Sequence, residues 1–311
     1  MKASRIVVAG SLNADLTIYT ERLPSPGETL HGHGFAINPG GKSANQAVSA
    51  ARLGGNVTLL GAVGSDSNGE MLLASTAGAG VDVSHVRRVS EPTGVAIISV
   101  DARGENSIII SAGANGTLSP ADMNPELFNG AGVVCLCLEV PLETVQAAAQ
   151  AGHDAGASVL LNLSPYAAIT TELAQLSDVL LVNSHEASQF LDGFIMPAPD
   201  APVAAWLGAV EKFAGRGLHQ VLVTLGAAGS MVLDAHNIDN PVVRIAPTAV
   251  DAVDTTGAGD AFTGAVAARL AAGSTLVEAA RYASVAAALA ATKKGTQTAY
   301  PSGTEVDAIL Q

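Results

Sequence analysis

The chain has 311 residues, of which 48% are hydrophobic and 14% charged, a balance that supports a large core and excludes an intrinsically disordered chain. With a formal net charge of −13, a pI near 4.8 and no basic run, it repels nucleic acid and anionic membrane, so small molecules are the expected partners. The length exceeds the roughly 100–200 residues of an average domain, but large α/β units run past that limit as one body.

In chain order, the first predicted strand is Ile6 to Gly10, after an N-terminal stretch whose apolar part is too short for a signal peptide. No later apolar run reaches the roughly 18–20 residues of a membrane span, and a cytoplasmic protein is expected. Leu12 to Asn38 then shows strand-like alternation with no intervening helix. A helix over Ser43 to Leu53 and a strand over Val57 to Val63 follow. Thr93 to Gly113 alternates again around Asp101-Ala102-Arg103-Gly104-Glu105, which reads as a hairpin turn. Beyond it, apolar strands at Val133 to Leu138, Ser158 to Leu163, Val179 to Val182 and Val221 to Thr224 are interleaved with or followed by helical stretches. Those helices are Glu143 to Ala155, Ala204 to Arg216, Asp260 to Ala272 and Leu276 to Thr292. Pro197 to Pro202 reads as a turn-rich surface connector.

Strands and helices in alternation predict an α/β fold, doubly wound, with a mostly parallel sheet flanked by helices and a single domain over residues 1–311. The two strand-rich segments, about 12–38 and 93–113, are expected to add antiparallel strands as a small β-sheet lid. Such a lid can cover a site at the strand ends, where α/β folds bind ligands. The two cysteines, Cys135 and Cys137, share one face of a strand and are expected to be buried small hydrophobes, because a lone C-x-C lacks the further ligands of a metal site.

Gly40-Gly41-Lys42-Ser43 looks like the end of a phosphate-cradling P-loop, whose backbone N–H groups need a further glycine five positions upstream. That position is Ala36, and Pro39 removes a donor, so the phosphate site must lie elsewhere. Val253 to Gly264, V-D-T-T-G-A-G-D-A-F-T-G, is the better candidate. Its glycines allow a sharp turn into a helix near Asp260, which would aim free N–H groups and a carboxylate at one point. A carboxylate there can take a proton from an attacking hydroxyl while the N–H groups hold a transferring phosphoryl group. The plainer reading makes Asp260 a helix cap.

Further motifs lie in order along nearly the whole chain: G-S-L-N-A-D at Gly10 to Asp15, L-P-S-P-G-E-T at Leu23 to Thr29, G-G-K-S-A-N-Q at Gly40 to Gln46, G-x-x-G-x-D-x-x-G at Gly61 to Gly69 and D-T-T-G-A-G-D at Asp254 to Asp260. On these motifs the chain resembles the ribokinase family of sugar and nucleoside kinases, the PfkB group. The resemblance implies that Asp260 is the base that deprotonates a primary sugar hydroxyl and that Gly257, Ala258 and Gly259 form the anion hole. It implies an acceptor site of Asn13, Asp15, Gly41, Lys42, Asn45 and Glu139, with Ala96, Ile98 and Ile110 of the lid as apolar contacts. Glu139 narrows the substrate most and, with the intact N-x-D, favours D-ribose phosphorylated on O5. For ATP the resemblance implies Asn183, Thr224, Gly226, Gly229 and Gly259, with Glu186 organising Mg²⁺ through water. A monovalent cation such as K⁺ is implied at Asp254, Thr256, Ala290, Lys293 and Gly295, and a homodimer through the lid.

Taken alone, the same residues read more simply: N-A-D as turn chemistry, Asn183 to Glu186 as a helix cap, Thr224 to Gly229 as a strand-to-hairpin turn and Lys42 as a solvated lysine. The chain departs from the family pattern in three places. Ala299 stands where a serine is common beside the cation, Asn162 to Tyr166 replaces a segment on the nucleotide side, and Ser284 stands where a histidine is frequent near adenine. The rival readings are a kinase for 2-deoxyribose, another pentose or hexose, or a nucleoside, and a sugar-binding regulator without catalysis. The regulator is disfavoured by intact G-A-G-D and N-x-x-E motifs. A dinucleotide-dependent dehydrogenase is disfavoured because no G-x-G-x-x-G follows a strand.

Overall fold

The structure, a computed structural model, describes residues 4–311. Its first third holds β1 (Arg5–Ala9), β2 (Asn13–Tyr19), β3 (Phe35–Gly40), α1 (Lys42–Arg52), β4 (Asn56–Gly64), α2 (Ser67–Gly78), β5 (Val86–Val89), β6 (Gly94–Val100) and β7 (Asn106–Ser111). The middle holds β8 (Ala131–Leu136), α3 (Leu142–Asp154), β9 (Ser158–Asn162), α4 (Thr171–Leu176), β10 (Val179–Asn183), α5 (Ser184–Phe190), α6 (Leu207–Ala214) and β11 (Gln220–Thr224). The chain ends with β12 (Ser230–Asp234), β13 (Val242–Ile245), α7 (Ala258–Ala271), α8 (Leu276–Ala291) and α9 (Gly303–Leu310).

Nine strands form the main sheet in the order β13-β12-β11-β10-β9-β8-β1-β4-β5, parallel except at β12 and β13. Alternation along each strand feeds two cores. Ile6 and Val8 of β1 pack toward α1, α7 and α8, whereas Val7 and Ala9 pack toward α3 to α6. Helices therefore cover both faces, which is why the strands read as continuous apolar runs. Gly264 fixes how closely α1 and α7 approach, since a Cβ there would lie 2.4 Å from Gln46 O and 2.6 Å from Ser49 Cβ. Ser49 Oγ, donating to Ala261 O at 2.9 Å, closes the same crossing.

The second sheet has the order β3-β2-β6-β7. The expectation of an all-antiparallel sheet needs one correction, because β2 and β6 pair in parallel. Each follows a parallel main-sheet strand, β1 and β5 respectively, after a short link, so both leave the main sheet in the same direction. The turn expected at Asp101 to Glu105 closes β6 onto β7, with Asp101 N donating to Glu105 O at 2.9 Å. The helix expected over Ala204 to Arg216 is divided, with a 3₁₀ turn at Val203–Trp206 leading into α6.

Candidate active site

The expected site residues gather where the main-sheet strands end and the small sheet departs. Asn13 opens β2, and Gly40 and Gly41 lead from β3 into α1. Gly41 adopts φ 88°, a conformation that disfavours a side chain, and a Cβ on it would lie 2.6 Å from Asn13 N. A Cβ on Gly40 would lie 2.2 Å from Asp15 Oδ2, so the Asp15 carboxylate rests directly on the di-glycine backbone. One face of the small sheet carries Asp15 level with Ala96 and Ile110, and Thr17 level with Ile98 and Ile108.

Glu139, just beyond β8, ties these pieces together. Its Oε2 accepts from Ser11 Oγ at 2.6 Å, from Lys42 N at 3.0 Å and, at the longer 3.5 Å, from Asn13 Nδ2. Asn115 fixes the other side of Asn13. Its Nδ2 donates to Asn13 Oδ1 at 2.8 Å and to Leu12 O at 3.0 Å, and its Oδ1 accepts from Leu12 N at 3.0 Å. A cavity of about 350 Å³ opens between Ile110 and Glu139. A larger one of about 500 Å³, between Leu191 and Arg216, contains none of the expected residues.

Burial pushes the Asp15 carboxyl up to about 7, with the charges of Glu139 and Asp260 adding to the effect and Lys42 opposing it. For Lys42, burial disfavours the charged form, but Asp260, Glu139 and Glu186 overcome it and hold the ammonium above its ordinary range. Lys42 is thus a partly buried cation among carboxylates from three parts of the chain, not a solvated surface lysine.

Asp260 lies in the first turn of α7, which follows Gly257 in the left-handed region with φ 73°. The plainer sequence reading, in which Asp260 caps the helix, does not hold: the cap position is Gly257, and no side chain caps this end. The buried Asp260 carboxylate instead accepts from Asn45 Nδ2 through Oδ2 and from Gln46 Nε2 through Oδ1, each at 3.0 Å. Gln297 Nε2 donates to Asn45 Oδ1 at 3.1 Å. Of the backbone donors at this turn, Ala258 N donates to Thr255 O at 3.1 Å, while a Cβ on Gly259 would meet nothing within 4 Å.

On the other flank, Asn183 and Thr224 are paired at the ends of β10 and β11. Asn183 and Glu186 form the cap the sequence offered as the plainer reading: Asn183 N donates to Glu186 Oε2 at 2.8 Å and Glu186 N to Asn183 Oδ1 at 2.9 Å. Gly226 and Gly229 both have positive φ, and a Cβ on Gly229 would lie 2.2 Å from Ile245 O. Ser284 Oγ donates to Ala246 O at 3.2 Å.

Asp254 joins the two loops of the expected cation site. Its carboxylate accepts from Thr256 N at 2.9 Å and from Gly295 N at 3.0 Å. Burial alone would raise its pKa, and these bonds together outweigh burial and lower it. The carbonyl of Ala290 accepts from Lys293 N at 3.2 Å. Ala299 is buried and brings no side-chain oxygen. Both cysteines are buried, as expected, but each also meets a polar partner: Cys135 Sγ donates to Gln46 Oε1 at 3.3 Å, and Cys137 Sγ lies 3.1 Å from Ser43 Oγ. Sequence reasoning gave no role to Ser11, Gln46, Asn115 or Gln297, although Ser11 and Gln46 lie inside quoted motifs.

Residues 3–303 match the pfkB family of carbohydrate kinases. The chain belongs to this family. A Schizosaccharomyces pombe ribokinase is 36% identical, with 97% of this chain and 96% of that one covered. A Salmonella typhi deoxyribokinase is 37% identical, with 96% and 95% covered. Among solved structures, Arabidopsis thaliana ribokinase complexed with ribose and ATP superposes with a TM-score of 0.89 at 34% identity, covering 99% of each chain. The pfkB assignment fits the large, mostly parallel sheet flanked by helices and the second, small sheet described above.

Proposed function

We propose that this pfkB kinase is a ribokinase, transferring the γ-phosphoryl group of ATP to O5 of D-ribose. The observation that carries the reading is the convergence of Asp15, Glu139 and Asp260 on Lys42 where β2, β8, α1 and α7 meet. Carboxylates and amides in that cluster suit a polyhydroxylated acceptor, which offers many O–H donors and no charge. Asn13, Asp15, Gly41, Lys42, Asn45 and Glu139 hold the sugar, and Ala96, Ile98 and Ile110 cover it as a lid. Asp260 then takes the proton of O5, while N–H groups at Gly257 to Gly259 stabilise the charge of the transferring group.

Asn183, Thr224, Gly226 and Gly229 form the ATP edge. Glu186, with one carboxylate oxygen engaged in the cap and the other left for hydration water, suits Mg²⁺ held through water together with Asn183. When bound, the ion neutralises phosphate charge. Backbone oxygens at Asp254, Thr256, Ala290, Lys293 and Gly295 suit a weakly hydrated cation such as K⁺, with Ala299 leaving the set one hydroxyl short. The need for ATP makes the cytoplasm the expected compartment. Among the described residues no helix is long and apolar enough to cross a membrane.

The deoxyribokinase relative makes 2-deoxyribose the rival acceptor. The deciding experiment is an acceptor panel of ribose, 2-deoxyribose, fructose and adenosine at fixed ATP-Mg²⁺, with and without K⁺. Ribose is expected to have the highest kcat/KM and K⁺ to raise it. A higher kcat/KM for 2-deoxyribose or adenosine would overturn the choice of sugar.

The lid also supports a homodimer. The face turned away from Asp15 carries Leu16, Ile37, Ile97 and Ile109 in one row across four strands. Ile37 and Ile97 are 48% exposed, Ile109 67% and Phe35 62%, an apolar patch that a second copy would cover. In light scattering the protein is expected to be a dimer and Ile109→Asp a monomer. A monomeric parent protein excludes the pairing.

A further inference from the structure

We infer that Gln46 is a positioning residue that aims the Asp260 base, with the Cys135 thiol fixing the orientation of its amide. The inference rests on the reading of Asp260 as the base. A carboxylate only accepts hydrogen bonds, so the amide nitrogen of Gln46 must face Asp260 Oδ1 at 3.0 Å. Its oxygen then faces Cys135 Sγ at 3.3 Å, which must donate. Gln46 and Cys135 are completely buried, so neither reaches the sugar.

The other amide on Asp260 has a different duty. Asn45 holds Oδ2, is itself held by Gln297, and is an expected sugar ligand. Its bond to Asp260 is therefore the one an arriving hydroxyl competes for, whereas the bond from Gln46 persists through the cycle. One oxygen is anchored from behind and the other is presented to the acceptor. The close crossing of α1 and α7 at Gly264 keeps the amide within reach of the base. Misplacing a reacting group by a fraction of an ångström affects turnover far more than ground-state binding.

Gln46→Met keeps the shape of the side chain and removes the donor. It is expected to lower kcat about 10- to 100-fold, the range for losing a hydrogen bond to a charged group, with ribose KM changed by less than about threefold. Gln46→Asn keeps the amide but is too short to reach both partners, and serves in its place if the methionine variant does not fold by circular dichroism. Parent-like kcat in these variants, or a raised KM with kcat intact, overturns the inference. Asp260→Asn assayed alongside separates the two readings: if it is inactive while Gln46→Met is fully active, only the role of Gln46 falls.

Discussion

Replacing Asp260 with asparagine is expected to reduce kcat by about 10³-fold, within the range for loss of a general base, while the ribose Kd measured without ATP changes by less than about threefold. The two effects separate because the carboxylate has one task that an amide can imitate and one that it cannot. In Asp260→Asn the side-chain oxygen still accepts a hydrogen bond from Asn45 or Gln46, which each donate to Asp260 at 3.0 Å in the parent. The new NH₂ meets one of these donors head-on, and Gln46 relieves the clash by turning its amide over and offering Oε1. Its nitrogen then faces the Cys135 sulfur, a weak acceptor, so the cost falls on local packing. The α1–α7 crossing that carries the acceptor site remains, held by Ser49 on Ala261 and by the close approach at Gly264. What is lost is the capacity to take the O5 proton as the phosphoryl group arrives. Rapid-quench measurement of product with calorimetry of ribose binding checks both halves, and a kcat close to that of the parent removes Asp260 as the base.

How far the sequence reveals this arrangement depends on the range over which each part is determined. Main-sheet strands are legible because burial on both faces makes them unbroken apolar runs, as at Val133 to Leu136. The turn into α7 is legible because Gly257 must adopt a positive φ just before a carboxylate. Other parts carry only a local signal that is short or mixed. α5 is seven residues long and is set by its capping box, and α2 buries only Gly69, Leu72 and Thr76, too few to mark a face. The partner of a buried polar group is not encoded locally at all. Gln46 meets Asp260 across 214 positions, and Asn115 meets Leu12 across 103. In the sequence both are ordinary polar residues near glycines, and only the helix crossing and the departure of β2 give them partners. The same limit explains β2 and β6, whose alternation predicts strands without indicating that they run side by side in parallel.

Glu139→Ala is expected to weaken ribose binding by about 100-fold, with kcat at saturating ribose within about tenfold of the parent, because Glu139 holds the acceptor site together without touching the base. Removing it leaves Ser11 Oγ and Lys42 N without the acceptor they share, at 2.6 and 3.0 Å, and a buried donor stripped of a charged partner is among the costlier losses in a folded chain. Glu139→Gln keeps an acceptor oxygen in place and is expected to lose only about tenfold. It also tests the electrostatics through pH. Asp15 is held at about 7 by burial first and then by the charges of Glu139 and Asp260, so a proton enters as the pH falls through that value and removes an acceptor that the sugar hydroxyls need. Ribose affinity of the parent is therefore expected to fall as the pH drops below about 7. Neutralising Glu139 withdraws one of the charges that raise Asp15 and leaves the burial contribution, so the limb in Glu139→Gln moves to lower pH by part of the full displacement. Calorimetric titration with ribose alone, over roughly three pH units around the Asp15 value, reads this directly. A limb that stays where it is in Glu139→Gln shows that the carboxylate of Glu139 does not act on Asp15.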